Sequence, residues 1–447
     1  MLPTLLRVLL RIFFRRVEVA GGEFVPKEGP LLFVLNHQNG LVDAMVLLGL
    51  APRRSVFLAK APLFRLPVLG LLVKAFGSIP IHRRIDGTTD AAPNADAFRN
   101  VWSALERGGA IAIFPEGTSH SDPELKPFKT GVARIALGAS GVAAQGRSVQ
   151  IVPAGLYYTT KTTFRSSVLL YFGRPIAVDP PVLGDGVEPS SMRVVELTAV
   201  LERALARVTL QADRHDALAL VSRAERIFSA AASGARGETH LVNQFELRQS
   251  FVAGYAAFKA HAPQRLDDVV RMIAQYEAKL DAAAVSATTL MSADVGLMRA
   301  IWTALRMLGI VLVLLPAAVV GLALNYPAYR LVGPLATRVL KPDADVVATQ
   351  KILVGAVLFP IVWGLMGWLV GAWLGVWAGI GAAVLAPPSG YVAVRLLERV
   401  DYFIDEVRGF MLLASRPTTS LQLVAEGRAI RDAILALEND ETTRWKA

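Results

Sequence analysis

Residues 352–394 carry no charged side chain between Lys351 and Arg395. One straight helix over that run, at about 1.5 Å per residue, would be roughly twice as long as a hydrocarbon core of about 30 Å. The run must therefore fold back or lie partly in the interface. Trp363, Trp368, Trp373 and Trp377 suggest an interfacial turn near its middle, whereas Gly367, Gly371, Gly375 and Gly379 at steps of four suggest one continuous packed face. A helical hairpin is the favoured reading. Residues 307–329 are uncharged between Arg306 and Arg330 and are long enough for a further span. Arg330, Arg338, Lys341 and Lys351 argue that the intervening loop faces the cytoplasm, while a single crossing from a cytoplasmic N-terminal part would put it outside. A segment 307–329 that enters and leaves on one face, bent at Pro316, would reconcile the two.

Of the 447 residues, 53% are hydrophobic, more than a soluble chain needs, and the net charge of +10 favours anionic lipid headgroups over nucleic acid as partner. With no cysteine, disulfides and thiol catalysis are excluded. Near the N-terminus, Arg7, Arg11 and Arg15 recur every fourth residue among large apolar side chains, the pattern of a helix lying in a membrane interface. These arginines interrupt the apolar core that a signal peptide requires. Beyond Pro180-Pro181 the chain turns rich in Ala, Arg and Glu. Leu197, Leu201, Leu205 and Val208 begin a series of amphipathic helices in which His215, His240 and His261 read as surface residues.

The expected fold class is α/β, a central mixed sheet flanked by helices, followed by a helical region and a C-terminal transmembrane helical domain. The expected boundaries are an interfacial helix at 1–20, an α/β domain at 21–182, the helical region at 183–300, two or three membrane segments within 301–395, and a helical tail at 396–447.

Four short blocks concentrate the chemistry. Leu31 to Leu35 is an apolar run of the kind that forms a buried parallel strand, and Leu41 to Leu50 reads as a helix. The block Asn36-His37-Gln38-Asn39-Gly40-Leu41-Val42-Asp43 then sets His37 at a strand-to-helix junction with Asp43 about a turn into the helix. That edge of an α/β sheet is where ligands gather. A carboxylate there can fix the imidazole tautomer, so that the other ring nitrogen takes a proton from a hydroxyl without a separate nucleophile. The block from Gly77 to Arg84 ends in two guanidinium groups, Arg83 and Arg84, suited to a phosphate. Phe114-Pro115-Glu116-Gly117-Thr118-Ser119 follows the strand-like residues 110–113 and makes an abrupt turn where backbone N–H groups and hydroxyls can meet an anion. Two negative charges would repel, so Glu116 suits orienting an arginine or binding a free hydroxyl of the acceptor. The fourth block is Ile151-Val152-Pro153-Ala154. Signatures of serine hydrolases, nucleoside triphosphatases and dinucleotide enzymes are missing, and the histidines show no spacing that suggests a metal.

The order Asn-His…Asp, Gly-x-Ile-Pro-Ile-x-Arg, Phe-Pro-Glu-Gly-Thr-Ser and Val-Pro-Ala resembles the glycerolipid acyltransferase family, which acylates glycerol-3-phosphate and lysophosphatidic acid. Residues 116–131 resemble its longer branch, which includes fungal glycerol-3-phosphate and dihydroxyacetone-phosphate acyltransferases. The resemblance implies transfer of an acyl group from acyl-CoA or acyl carrier protein to a phosphorylated glycerol, in a membrane setting with the catalytic domain on the cytoplasmic face. It implies no cofactor, no metal and no nucleic-acid partner. By the same resemblance His37 is the general base and Asp43 its partner. Arg83, Arg84, Glu116, Gly117, Thr118 and Lys129 form the acceptor-binding region, and Asn36 and Pro153 are structural or acyl-pocket positions. One departure stands out: five residues, Gln38 to Val42, separate His37 from Asp43, where the common family spacing has four. Another lysolipid or an aminolipid as acceptor, or a lipid-binding protein without turnover, are the alternatives.

Overall fold

The computed structural model describes residues 2–65, 67–81, 92–142, 148–178, 190–233, 240–292, 297–339 and 346–438. Arg83 and Arg84 lie outside them. The chain divides into two compact units, one comprising Met1–Gln211 with Pro342–Thr349, the other Ala212–Lys341 with Gln350–Ala447.

The first unit is built on a mixed sheet of eight strands, β1 (Arg16–Ala20), β2 (Leu31–Leu35), β3 (Val56–Lys60), β4 (Ile79–Ile81), β5 (Ala110–Ile113), β6 (Val149–Tyr158), β7 (Ser167–Phe172) and β8 (Ile176–Val178). Seven run in the order β1-β7-β6-β2-β5-β3-β4, and β8 pairs with β6. The neighbours β6, β2, β5, β3 and β4 are parallel, whereas β7 and β8 are antiparallel to β6. All five residues of β2 are buried, as a strand covered on both faces requires. Among the described residues, the helices of this unit are α1 (Leu2–Phe13), α2 (Gly40–Leu50), α3 (Pro67–Ala75), α4 (Ala92–Glu106), α5 (Gly131–Val142) and α6 (Ser191–Ala206). Val101 and Leu105 of α4, Val132 and Ala136 of α5, and Leu201 and Leu205 of α6 pack in one core with Leu32, Ile111 and Ile151 of the sheet.

Two details differ from the sequence reading. The unit runs on through α6 to Gln211, past the boundary expected at 182, because α6 supplies core side chains and Glu202 accepts a hydrogen bond from the Phe128 amide. Only part of the apolar surface of α1 is outward. Leu6 and Leu10 are buried and the Arg7 guanidinium donates to the Gly49 carbonyl of α2, which leaves Leu5, Val8 and Ile12 exposed beside Arg7 and Arg11.

The second unit is helical: α7 (His215–Ser233), α8 (Leu241–His261), α9 (Pro263–Ala282), α10 (Ala287–Ser292), α11 (Leu297–Pro334), α12 (Val347–Leu374, from Gln350 onward), α13 (Val376–Ser415) and α14 (Pro417–Glu438). Helices α11, α12 and α13 are each long and apolar enough to cross a membrane. A break at Gly375, whose φ of 93° lies in the left-handed region, separates α12 from α13. The chain reverses there: a Cβ on Gly367 would meet Ala383, and one on Gly379 would meet Gly371, so only glycine lets the two backbones approach this closely. The glycines at steps of four thus face one another across a turn, with Trp373 and Trp377 exposed on either side of it. Residues 307–329 form part of the continuous α11, which runs on through Pro316.

Candidate functional site

The parallel strands β2 and β5 are neighbours, so the segments that follow them leave the same edge of the sheet side by side. His37 comes from the first and residues 114–119 from the second. Asn36 continues β2 by one pairing. Its Nδ2 donates to the Leu156 carbonyl at 3.0 Å, and its Oδ1 accepts from the Leu156 amide at 2.7 Å, which fixes the exit of the strand against β6. Pro153 pairs with Val34 on that same strand, where its missing N–H still leaves its carbonyl to accept from Gly173.

The His37 Nδ1 lies 2.9 Å from Asp43 Oδ2, and its ring stacks on Phe114 with centroids 4.0 Å apart. Asp43 is the fourth residue of α2 and is wholly buried. Its Oδ2 also accepts from the amides of Gln38 at 2.8 Å and Asn39 at 2.7 Å, while its Oδ1 accepts from the Tyr158 hydroxyl at 2.6 Å. The additional residue between His37 and Asp43 is therefore absorbed in a turn whose two amides point at the carboxylate. With Nδ1–H committed to Asp43, Nε2 is the ring nitrogen left to accept a proton. The imidazole is 16% exposed, enough for a substrate hydroxyl to reach it. Burial, and then the charge and hydrogen bond of Asp43, push the Tyr158 phenol well above the ordinary tyrosine range, so it stays a donor. A hydroxyl oxygen caps α2: Thr349 Oγ1 accepts from the Leu41 amide at 3.0 Å.

The turn after β5 is organised by a buried carboxylate. Glu116 Oε1 accepts from the His37 amide at 2.9 Å, and Oε2 accepts from the Lys126 amide at 2.8 Å and pairs with His120 Nε2. Glu116 thus has its oxygens turned into the protein and ties one loop to the other, where the sequence reading placed it on an arginine or an acceptor hydroxyl. At Gly117, with φ of 70°, a Cβ would lie 2.8 Å from Lys129 Nζ. The glycine is what lets the exposed Lys129 side chain cross the turn. Thr118, half-buried on the same turn, directs its hydroxyl at the Ser119 carbonyl at 3.4 Å. His37, Asp43, Glu116, Gly117, Thr118 and Lys129 are thereby brought to one sheet edge. β4 is followed directly by the residues that include Arg83 and Arg84, and it is parallel to β3 in that sheet. Among the described residues no three His, Asp or Glu side chains gather as metal ligands would.

Sequence reasoning missed Tyr158, His120 and Thr349. Tyr158 had a faint signal, as the last residue of the strand that carries Pro153. His120 had one too, four residues after Glu116.

Residues 16–157 match the family model described as Acyltransferase, and residues 233–434 match that of the Glycerol-3-phosphate acyltransferase 2 C-terminal domain. Among curated relatives, an uncharacterized acyltransferase of Schizosaccharomyces pombe is 25% identical over 80% of this chain and 66% of that protein. Two Saccharomyces cerevisiae proteins follow. Glycerol-3-phosphate O-acyltransferase 2 is 34% identical over 42% of this chain and 24% of its own length, and glycerol-3-phosphate O-acyltransferase 1 is 24% identical over 80% and 59%. The chain thus spans less than two thirds of the length of each of these relatives. The solved structure of a 1-acyl-sn-glycerophosphate acyltransferase from Thermotoga maritima aligns with 45% of this chain and 75% of its own, at 22% identity and a TM-score of 0.32.

Proposed function

Because the chain belongs to the glycerolipid acyltransferase family, we propose that it moves a fatty acyl group from acyl-CoA or acyl carrier protein to a hydroxyl of glycerol-3-phosphate, with His37 as general base and Asp43 as its partner. The observation that carries the reading is the His37 Nδ1–Asp43 contact of 2.9 Å, at a sheet edge that also bears Lys129. His37 Nε2 takes the proton of the acceptor hydroxyl as its oxygen attacks the thioester carbonyl. The C–O bond forms, the C–S bond breaks, and the imidazolium returns its proton to the leaving thiolate. Buried Asp43 steadies the imidazolium between these steps. Lys129, with Arg83 and Arg84, supplies cations for the acceptor phosphate. Gly117 keeps the turn clear for Lys129, and Thr118 completes its rim.

Glycerol-3-phosphate is preferred over its 1-acyl derivative because the match over residues 233–434 is to a domain of glycerol-3-phosphate acyltransferase 2. The 1-acyl derivative is the second reading, since a segment covering 38% of the chain is 29% identical to a chloroplast 1-acyl-sn-glycerol-3-phosphate acyltransferase of Brassica napus. The exposed Leu5, Val8 and Ile12, flanked by arginines, would rest the catalytic unit on an anionic cytoplasmic membrane face, where a long-chain acyl donor and the lipid product collect. Purified protein in anionic vesicles with labelled acyl-CoA tests the reading against glycerol-3-phosphate, its 1-acyl derivative, dihydroxyacetone phosphate and glycerol. Labelled 1-acylglycerol-3-phosphate is the expected product. Label appearing only in non-phosphorylated acceptors, or in none, would contradict it.

A further inference from the structure

His120 has no part in the chemistry above, yet it is buried beside it. Its side chain is 5% exposed and that of Glu116 is fully covered. His120 Nδ1 faces the Asp122 amide at 3.2 Å and Asp122 Oδ2 at 3.4 Å, while Nε2 pairs with Glu116 Oε2, a carboxylate oxygen that can only accept, so Nε2 carries a proton. The other oxygen of Glu116 holds the His37 amide, and the His120 amide donates to the His37 carbonyl at 3.0 Å. These contacts close a ring. Both backbone polar groups of His37 are held by residues four apart in a single turn, one through a carboxylate and the other through a peptide N–H.

Resting on the reading of His37 as the base, we propose that His120 is a positioning residue, whose Nε2–H fixes the Glu116 carboxylate and so the peptide that carries His37. It touches no substrate. Without that donor, Glu116 Oε2 keeps only the Lys126 amide, and a buried carboxylate short of a partner turns toward water or another donor. The His37 peptide then loosens, and a shift of about 1 Å at a reacting group can cost on the order of 100-fold in rate.

His120→Gln and His120→Asn separate this role from bulk packing. The glutamine amide nitrogen reaches the position of histidine Nε2, whereas the asparagine amide reaches only that of Nδ1. In acyl transfer to glycerol-3-phosphate, His120→Ala and His120→Asn are expected to lose about 10- to 100-fold in kcat with both KM values within about twofold, and His120→Gln to recover most of the loss. In deuterium exchange of the protein in vesicles, a peptide that begins several residues before Asn36 and ends at Leu41 should show about tenfold faster exchange at the His37 amide in the alanine and asparagine variants, and near the wild-type rate in the glutamine variant. The exchange measurement needs no turnover, so it decides the proposal even where the acyl-transfer reading fails. Failure of that reading shows separately, as wild type no more active than His37→Ala. Unchanged exchange in all three variants, a glutamine variant no better than alanine, or a loss confined to acceptor KM would overturn the positioning role.

Discussion

In each unit several elements meet at one polar side chain, wholly buried in the first and half-buried in the second, and the two clusters are finished differently. In the first, Asp43 collects donors from His37, Gln38, Asn39 and Tyr158, and the far edge of the imidazole remains reachable. In the second, Asn325 of α11 donates to the Gly321 and Ala386 carbonyls and accepts from the Trp363 indole at 2.8 Å. That set joins three apolar helices and ends on itself. A polar network that terminates in an accessible proton acceptor can do chemistry, whereas one that closes among backbone carbonyls and an indole can only hold helices together.

Substitutions at the two clusters should therefore separate cleanly. The largest effect belongs to Asp43→Asn, which keeps the shape but removes the charge facing the imidazolium; turnover should fall on the order of 10²- to 10⁴-fold with the fold retained, as read by single-turnover acyl transfer beside a circular dichroism melt. Next is Lys129→Ala. A charge-assisted contact with phosphate contributes about 1.5–3 kcal/mol, so the acceptor KM should rise roughly 10- to 150-fold while the donor KM stays put. Equal changes in both would make Lys129 a structural residue of the turn.

Tyr158→Phe should act more mildly, lowering kcat about tenfold, the low end of the roughly 1.5–3 kcal/mol of a hydrogen bond to a charged group, because three of the four donors to Asp43 remain. It also carries a pH signature. The folded protein binds the Tyr158 proton more tightly than the unfolded chain does, so this contribution is fully present below the unfolded tyrosine pKa of about 10 and is lost as pH rises above it. Urea or thermal unfolding between pH 8 and 11 should show a steeper alkaline loss in wild type than in Tyr158→Phe. Parallel curves would remove Tyr158 from the account. The smallest effect is expected from Asn325→Ala, which should leave kcat unchanged and weaken the membrane helices by about 0.6–1.7 kcal/mol, measured as reduced resistance to denaturing detergent. A drop in turnover comparable with that of Tyr158→Phe would break the distinction between the two clusters.

Much of the first unit was legible because its signals are local. Five consecutive apolar residues in β2 report a strand buried on both faces, and the stretch Leu41 to Leu50 reports the helix that follows. The uncharged run 352–394 likewise announced a reversal, though its glycines and tryptophans pointed two ways until Gly375 proved to be the turn. Long-range pairing was not legible. Tyr158 meets Asp43 across 115 positions, and nothing in either segment names the other. Glu116 was misjudged for a related reason: a carboxylate in an anion-binding turn looks like a ligand until the amides of His37 and Lys126 are seen to occupy it. The end of the first unit was set too early because α6 shares its Ala- and Glu-rich texture with the helices beyond Gln211, while its buried face belongs to the sheet.

The most direct test of the account is a comparison of purified wild type and His37→Ala, both in anionic vesicles, for transfer of a labelled acyl group from acyl-CoA to glycerol-3-phosphate. The account predicts labelled 1-acylglycerol-3-phosphate from wild type, and a rate at least about 100-fold lower from a variant that is still folded and membrane-bound. Wild-type turnover by His37→Ala would contradict it.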